Sequence, residues 1–129
     1  MAKTAFDYGQ ADIAAFKQGA QSGSIKFDPQ AVTDVVQVYD TLIRGLEEQL
    51  ERVRTAANIS GFGGFPSTQQ LAAGFAGKAE QYIEVLVQSI EGAIRLQEAY
   101  LIAGNRLDEA DSKYARAQEI ATQYLGAEK

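Results

Sequence analysis

The chain has no cysteine, no histidine and no tryptophan in its 129 residues. Without thiols or imidazoles it can form no disulfide, no Cys- or His-ligated zinc site, no cysteine nucleophile and no histidine acid–base pair. Positive charge is also scarce: 12 Lys and Arg stand against 17 Asp and Glu, a net charge of −5. Nucleic acid and anionic membrane both call for concentrated positive charge, so neither is an expected partner. No apolar run is long enough to cross a bilayer. The opening residues 1–7 lack the apolar core of a signal peptide. These absences predict a protein made in the cytoplasm that is no enzyme, holds no cofactor and no metal, and does not insert into a membrane.

What is present points to one folded domain. The composition is 46% hydrophobic and 22% charged, within the range of soluble globular chains. There are only two prolines, and both mark helix starts. Asp28-Pro29 reads as an N-cap followed by proline at the first helical position. Pro66-Ser67-Thr68-Gln69-Gln70 reads as a second start, with Ser67 capping and Gln70 as its capping-box partner. Between them, Ser60-Gly61-Phe62-Gly63-Gly64-Phe65 is dense in glycine and predicts a sharp reversal.

The first long helix is predicted over Pro29–Ile59. Its apolar residues recur at spacings of three and four and fill an arc of roughly 160°. The second is predicted from Ser67 to at least Gly104, with an apolar arc of roughly 200°. Glu80, Glu84, Glu91, Arg95 and Glu98 fall on its narrow polar face. A helix that packs only on its hairpin mate needs about 100° of apolar arc. The excess surface is expected to find a cover, since each large aliphatic side chain left in water forgoes about 1.5–3 kcal/mol.

The fold class expected is therefore all-α: an antiparallel helical hairpin that completes a four-helix bundle on dimerisation. The interface falls on Leu42, Leu46 and Leu50 of the first helix and Tyr82, Leu86, Ile90 and Ile94 of the second. Residues 1–27 form an N-terminal arm with a short helix near Gln10–Ala20 and a linker at Gln21-Ser22-Gly23-Ser24. This arm is judged too small to hide two long stripes. Residues 28–111 form the helix–turn–helix and 112–129 a helical tail; the stretch Asn105–Lys129 is expected to continue helical and to bend away from the second helix or fray.

Candidate chemistry is thin. Glu47, Glu48 and Glu51 form a solvated helix face. Asp108, Glu109 and Asp111 lack the spacing of a calcium loop. Gly61-Phe62-Gly63-Gly64 has neither the preceding strand nor the Lys-Ser/Thr of a phosphate loop. Two aromatics at the turn remain, Phe62 and Phe65. They either plug the end of the bundle or serve as a recognition feature.

The order of these features resembles the WXG-type (ESX) small proteins of type VII secretion systems, in particular their actinobacterial relatives. Phe62-Gly63-Gly64 stands at the family's Trp-x-Gly turn, with Phe in place of Trp. Phe65-Pro66-Ser67, then Leu71 and Phe75, continue the pattern, as does Ser22-Gly23-Ser24-Ile25-Lys26-Phe27-Asp28-Pro29 before it. The resemblance covers about residues 20–112. It implies a non-enzymatic secretion substrate or substrate partner, forming a homo- or heterodimer with another helical-hairpin protein. It implies passage through a type VII membrane ATPase to the cell surface or medium, without a Sec signal. Phe62, Gly63, Gly64 and Phe65 would then be the turn recognition motif. The family's Tyr-x-x-x-Asp/Glu signal corresponds to Leu107-Asp108-Glu109-Ala110-Asp111, with Leu in the Tyr position. Leu107 and Asp111 share one helix face at this spacing and would offer an apolar anchor beside a carboxylate. The alternative function is a cytoplasmic helical adaptor, chaperone or scaffold that is not exported.

Overall fold

The structure, a computed structural model, describes residues 7–57 and 66–125. The turn motif Phe62, Gly63, Gly64 and Phe65 lies outside the described residues. Four helices make up the fold: α1 (Gln10–Ser22), α2 (Pro29–Ala57), α3 (Pro66–Ala103) and α4 (Leu107–Leu125). Among the described residues there is no strand.

Asp28 caps α2 as its sequence suggests. Its Oδ2 accepts from the Gln30 and Ala31 amides at 3.0 and 3.1 Å, while Pro29 takes the first helical position, where no donor is needed. The helix of α3 already includes Pro66, so Ser67 stands inside the first turn rather than at the cap expected of it. Proline's fixed φ suits that first position. The chain stays helical to Ser22, two residues past the expected limit of the arm helix, and reverses at Gly23.

α3 is the axis of the molecule. α1, α2 and α4 each pack on it, and among the described residues their backbones do not pack on one another. α2 runs opposite to α3: Val32 meets Leu101, and Leu50 joins Val87 and Ile90 in one cluster. α4 also runs opposite, with Ala110 near Leu101 and Ile120 near Ile90. α1 runs parallel to α3, from Tyr8 at Gly92 to the Phe27 amide, which donates to the Ala103 carbonyl at 3.0 Å. As a result no residue from 83 to 104 is exposed.

This enclosure corrects the expectation that the chain's own ends are too small to cover its stripes. α4 does not bend away. It folds back along α3 and buries Ala110, Ala117, Ile120 and Ala121. Three of those four are alanines, so a slender helix can approach closely and cover width without bulk. The break that allows this falls at Gly104–Arg106, at the earliest end expected for the second long helix. Asn105 adopts φ 61°, and the Asn105 and Arg106 amides return to the Ile102 and Leu101 carbonyls at 2.9 and 2.8 Å. That is the paired closure of a Schellman cap, with asparagine in the left-handed position. Gly104 is needed for a different reason. A Cβ there would lie 2.8 Å from Cγ2 of Val32, so the turn could not press against α2.

The expected dimer interface divides. Leu50, Leu86, Ile90 and Ile94 are buried within the single chain, and an intermolecular role for them would require prising helices apart. Leu46 is half-buried against the same cluster. Leu42 and Tyr82 alone of the seven keep open surface, at 48% and 46% exposure.

Ile90, 2% exposed at the meeting of α2, α3 and α4, tests the enclosure. Ile90→Glu would bury an unpaired carboxylate and should cost more than about 3 kcal/mol, read as a lower urea midpoint. A wild-type midpoint with only a loss of self-association would contradict the in-chain packing.

Candidate recognition site

Leu107 and Asp111 open α4 and are both exposed, Leu107 at 54%. Their seat is fixed by Arg106. Its Nε and Nη2 donate to Glu109 Oε2 at 3.1 and 2.6 Å, and its Nη1 reaches the Pro29 carbonyl at 3.3 Å and the Thr33 hydroxyl. One guanidinium thus ties the first turn of α4 to the first turn of α2, using its planar fork on two helices. Asp108 and Glu109 occupy the first turn, where the helix dipole favours negative charge. The apolar group and the carboxylate at positions 107 and 111 are presented on an anchored helix start rather than on a loose tail.

Further along, α4 is linked to α2 by side chains alone. Lys113 Nζ lies 3.3 Å from Asp40 Oδ1, and Arg116 Nη2 lies 2.8 Å from Glu47 Oε2. Asp40 also accepts from the fully buried Gln97 amide, whose Nε2 reaches the Val36 carbonyl at 2.9 Å and Asp40 Oδ1 at 2.7 Å. Between α2 and α4 runs an open groove with a floor of Leu50, Val87, Ile90 and Ile120 and a charged rim that includes Glu47, Glu51, Arg54, Arg116 and Glu119. Glu47 and Arg116 pair across it. Among the described residues no group of acidic side chains clusters as a metal site would require.

The polar face of α3 is covered in its later half. Glu91 and Glu98 are 8% and 4% exposed, because α1 and the residues before it lie over them. Each buried acid has a cation. Lys17 Nζ is 2.8 Å from Glu98 Oε2 and sits 4.8 Å from the centre of the Tyr114 ring on α4. Arg95 Nε is 2.8 Å from Glu91 Oε2, and its Nη2 donates to Gln118 Oε1 at 2.9 Å. Tyr8 closes this cluster against Gly92, where a Cβ would stand 2.6 Å from the ring. Burial lifts the Tyr8 phenol above its ordinary pKa, with the Glu91 charge adding to it and Arg95 opposing. Burial works against the Arg95 charge, but the bonded Glu91 carboxylate, with Tyr8 and Glu98, outweighs it and raises the guanidinium further. Both groups therefore hold their protons at neutral pH.

An aromatic cluster seals the same end. Tyr100 meets Phe16 edge-on at 4.9 Å, stacks with Phe27 at 5.6 Å and lies 6.2 Å from Tyr39. Periodicity alone did not single out Lys17, Tyr8 or Arg106. The signal available for Lys17 was its place one residue after Phe16 on a short helix facing acids.

No family model, curated protein or solved structure matches the chain. Among the described residues no helix is long and apolar enough to cross a membrane.

Removing Lys17 tests what holds α1. Lys17→Ala leaves the Glu98 carboxylate buried without its cation, at a cost on the order of 3 kcal/mol. Hydrogen exchange should show α1 amides losing protection while those of α2 keep theirs. Unchanged protection in α1 would show that the ion pair does not secure it.

Proposed function

We propose that the chain is a non-enzymatic recognition protein, a type VII (ESX) secretion substrate or the partner of one. The observation that carries this reading is the pair Leu107 and Asp111, both exposed and one turn apart on a helix start clamped to α2 through Arg106. A receptor groove can grip an apolar side chain and a neighbouring carboxylate only if their spacing is fixed, and here it is. The pair stands just after the second long helix, where the resemblance implies an export signal. α2 and α3 are then the arms of the family's hairpin, and Phe62, Gly63, Gly64 and Phe65 its turn motif. The partner is another helical-hairpin protein or a second copy, and the receptor is the membrane ATPase of the secretion machine. The destination is the cell surface or the medium.

The non-enzymatic part is supported by the residue inventory. With no histidine or cysteine, imidazole acid–base chemistry and thiol nucleophiles are absent. Asp40, Glu47, Glu91, Glu98 and Glu109 are each held in an ion pair. Carboxylates so paired act as structural anchors.

Export assays test the reading. In a host with a working machine, Asp111→Asn and the pair Phe62→Ala with Gly64→Ala should each lower the secreted fraction. Asp111 is exposed, so the melting temperature of its variant should stay at the wild-type value. Wild-type protein found only in the cell pellet would favour the cytoplasmic adaptor instead.

A further inference from the structure

Three helices lie on α3, and one is held differently from the other two. Among the described residues, both apolar clusters that join α2 and α4 to α3 are built without any side chain from α1. α1 buries only Ile13 and Ala20 of its own apolar side chains. What it covers is the polar face of α3, with Glu91 and Glu98. That face can return to water at little cost. Glu91 keeps Arg95 one turn away, Arg95 keeps Gln118 of α4, and Glu98 exchanges Lys17 for solvent. The aliphatic faces under α2 and α4 have no such alternative. A helix of 13 residues taken off its seat is marginal in water, so α1 leaves and melts in one step.

We infer that α1 and the linker after it form a strap that opens over the end of α3 while the other three helices stay folded, and that this strap regulates the recognition site at Leu107. The linker ties helix and site together. Its Phe27 amide donates to the Ala103 carbonyl at 3.0 Å, and its Ile25 amide returns to the Gly19 carbonyl at 3.1 Å, so linker and helix move as one piece. Beside Leu107 lies a pocket of about 530 Å³. One wall is the strap, with Ala20, Gln21 and Phe27; the other is the α3–α4 corner, with Ile102, Ala103 and Leu107. Phe16 and Phe27 of the strap also cover Tyr100, the first edge-on at 4.9 Å and the second stacked at 5.6 Å. When the strap opens, that wall is gone, and Ile102 and Tyr100 lose their cover at the same end of the molecule as Leu107. The pair Leu107 and Asp111 keeps its setting, because Arg106 clamps it to Pro29 and Thr33 of α2 and not to the strap. The closed strap thus withholds part of the apolar surface a receptor meets there, and opening supplies it through the loss of order in one segment.

The inference deepens the recognition reading and rests on it for its use, but the strap itself is tested without export. Hydrogen exchange on the purified chain in rising, sub-denaturing urea reads each opening separately. The α1 amides and the Phe27 amide should exchange through one shared opening, at least about tenfold faster than the amides of residues 86–103 and with a weaker dependence on urea. Gly92→Ala sharpens the test, since its Cβ would stand 2.6 Å from the Tyr8 ring while alanine favours the α3 helix. That variant and Phe16→Ala should each speed exchange in α1 and at Phe27 by about tenfold, with α3 exchanging no faster than in the wild type. An α1 that opens only with global unfolding overturns the strap. So does a Phe27 amide that stays protected while α1 exchanges, or a loss of protection in α3 as large as that in α1. Where the chain is exported, Phe16→Ala should raise the secreted fraction; an unchanged fraction in a variant whose strap opens overturns the regulatory role. A strap that opens in a chain never exported keeps the device and removes the recognition reading. An exported chain whose α1 opens only with global unfolding does the reverse.

Discussion

One helix in this chain has more surface to hide than any single neighbour can cover. α3 is apolar around more than half its circumference, and the rest of its middle carries Gln88, Glu91, Gln97 and Glu98. The chain meets this by laying three of its own helices around the fourth. Everything distinctive follows from that demand. α4 must reverse sharply at Asn105, Gly104 must lack a side chain to let that reversal sit on Val32, and α1 must run parallel to α3 to reach the side that α2 and α4 leave open.

Enclosing polar residues imposes a second demand, since an unpaired charge in the interior is far costlier than an unpaired apolar group. The short α1 answers it less by bulk than by chemistry. Lys17 neutralises Glu98, and Tyr8 covers the Glu91–Arg95 pair. Gln97 answers the same demand in part, its Nε2 donating to the Val36 carbonyl and to Asp40, while its Oε1 and that of Gln88 are buried without a hydrogen-bond partner. The faces of α3 are thus distinguished by what each neighbour offers: chiefly aliphatic side chains from α2, small residues from α4, and a cation and rings from α1 and the residues flanking it, Tyr8, Phe16 and Phe27. Such a division fixes which helix goes where, because no two of the covers are interchangeable.

Much of the architecture was legible in the sequence. Asp28-Pro29 marked the start of α2 because capping is local, and the inner register of α2 followed from its spacing. The fate of Asn105–Leu125 was not legible from periodicity. Its apolar residues drift from the α3 stripe because they belong to a separate helix, and Gly104-Asn105 was the local signal for the break. Arc width predicted that α3 needed a cover but could not say whose. Periodicity placed Glu91 and Glu98 on the polar face of the helix but records polarity and not pairing; their cations stand at Arg95, one turn from Glu91, and at Lys17, far from Glu98 in sequence. At the candidate site, the i, i+4 relation of Leu107 and Asp111 was legible, while the Arg106 clamp that fixes their setting depends on Thr33 and Pro29 and was not.

With residues 83–104 of the chain sheltered inside one molecule, the large apolar side chains left open lie outside that stretch, Leu107 on α4 and Val38 and Leu42 on α2 among them. That separation of a self-sufficient core from its contact surfaces is the claim on which the rest stands. Hydrogen exchange at a dilution where sedimentation shows only monomer tests it most directly. The account predicts that amides from residue 86 to 103 are the slowest in the chain and open only with global unfolding. Fast exchange there in the monomer, slowed only when a second chain is added, would contradict it.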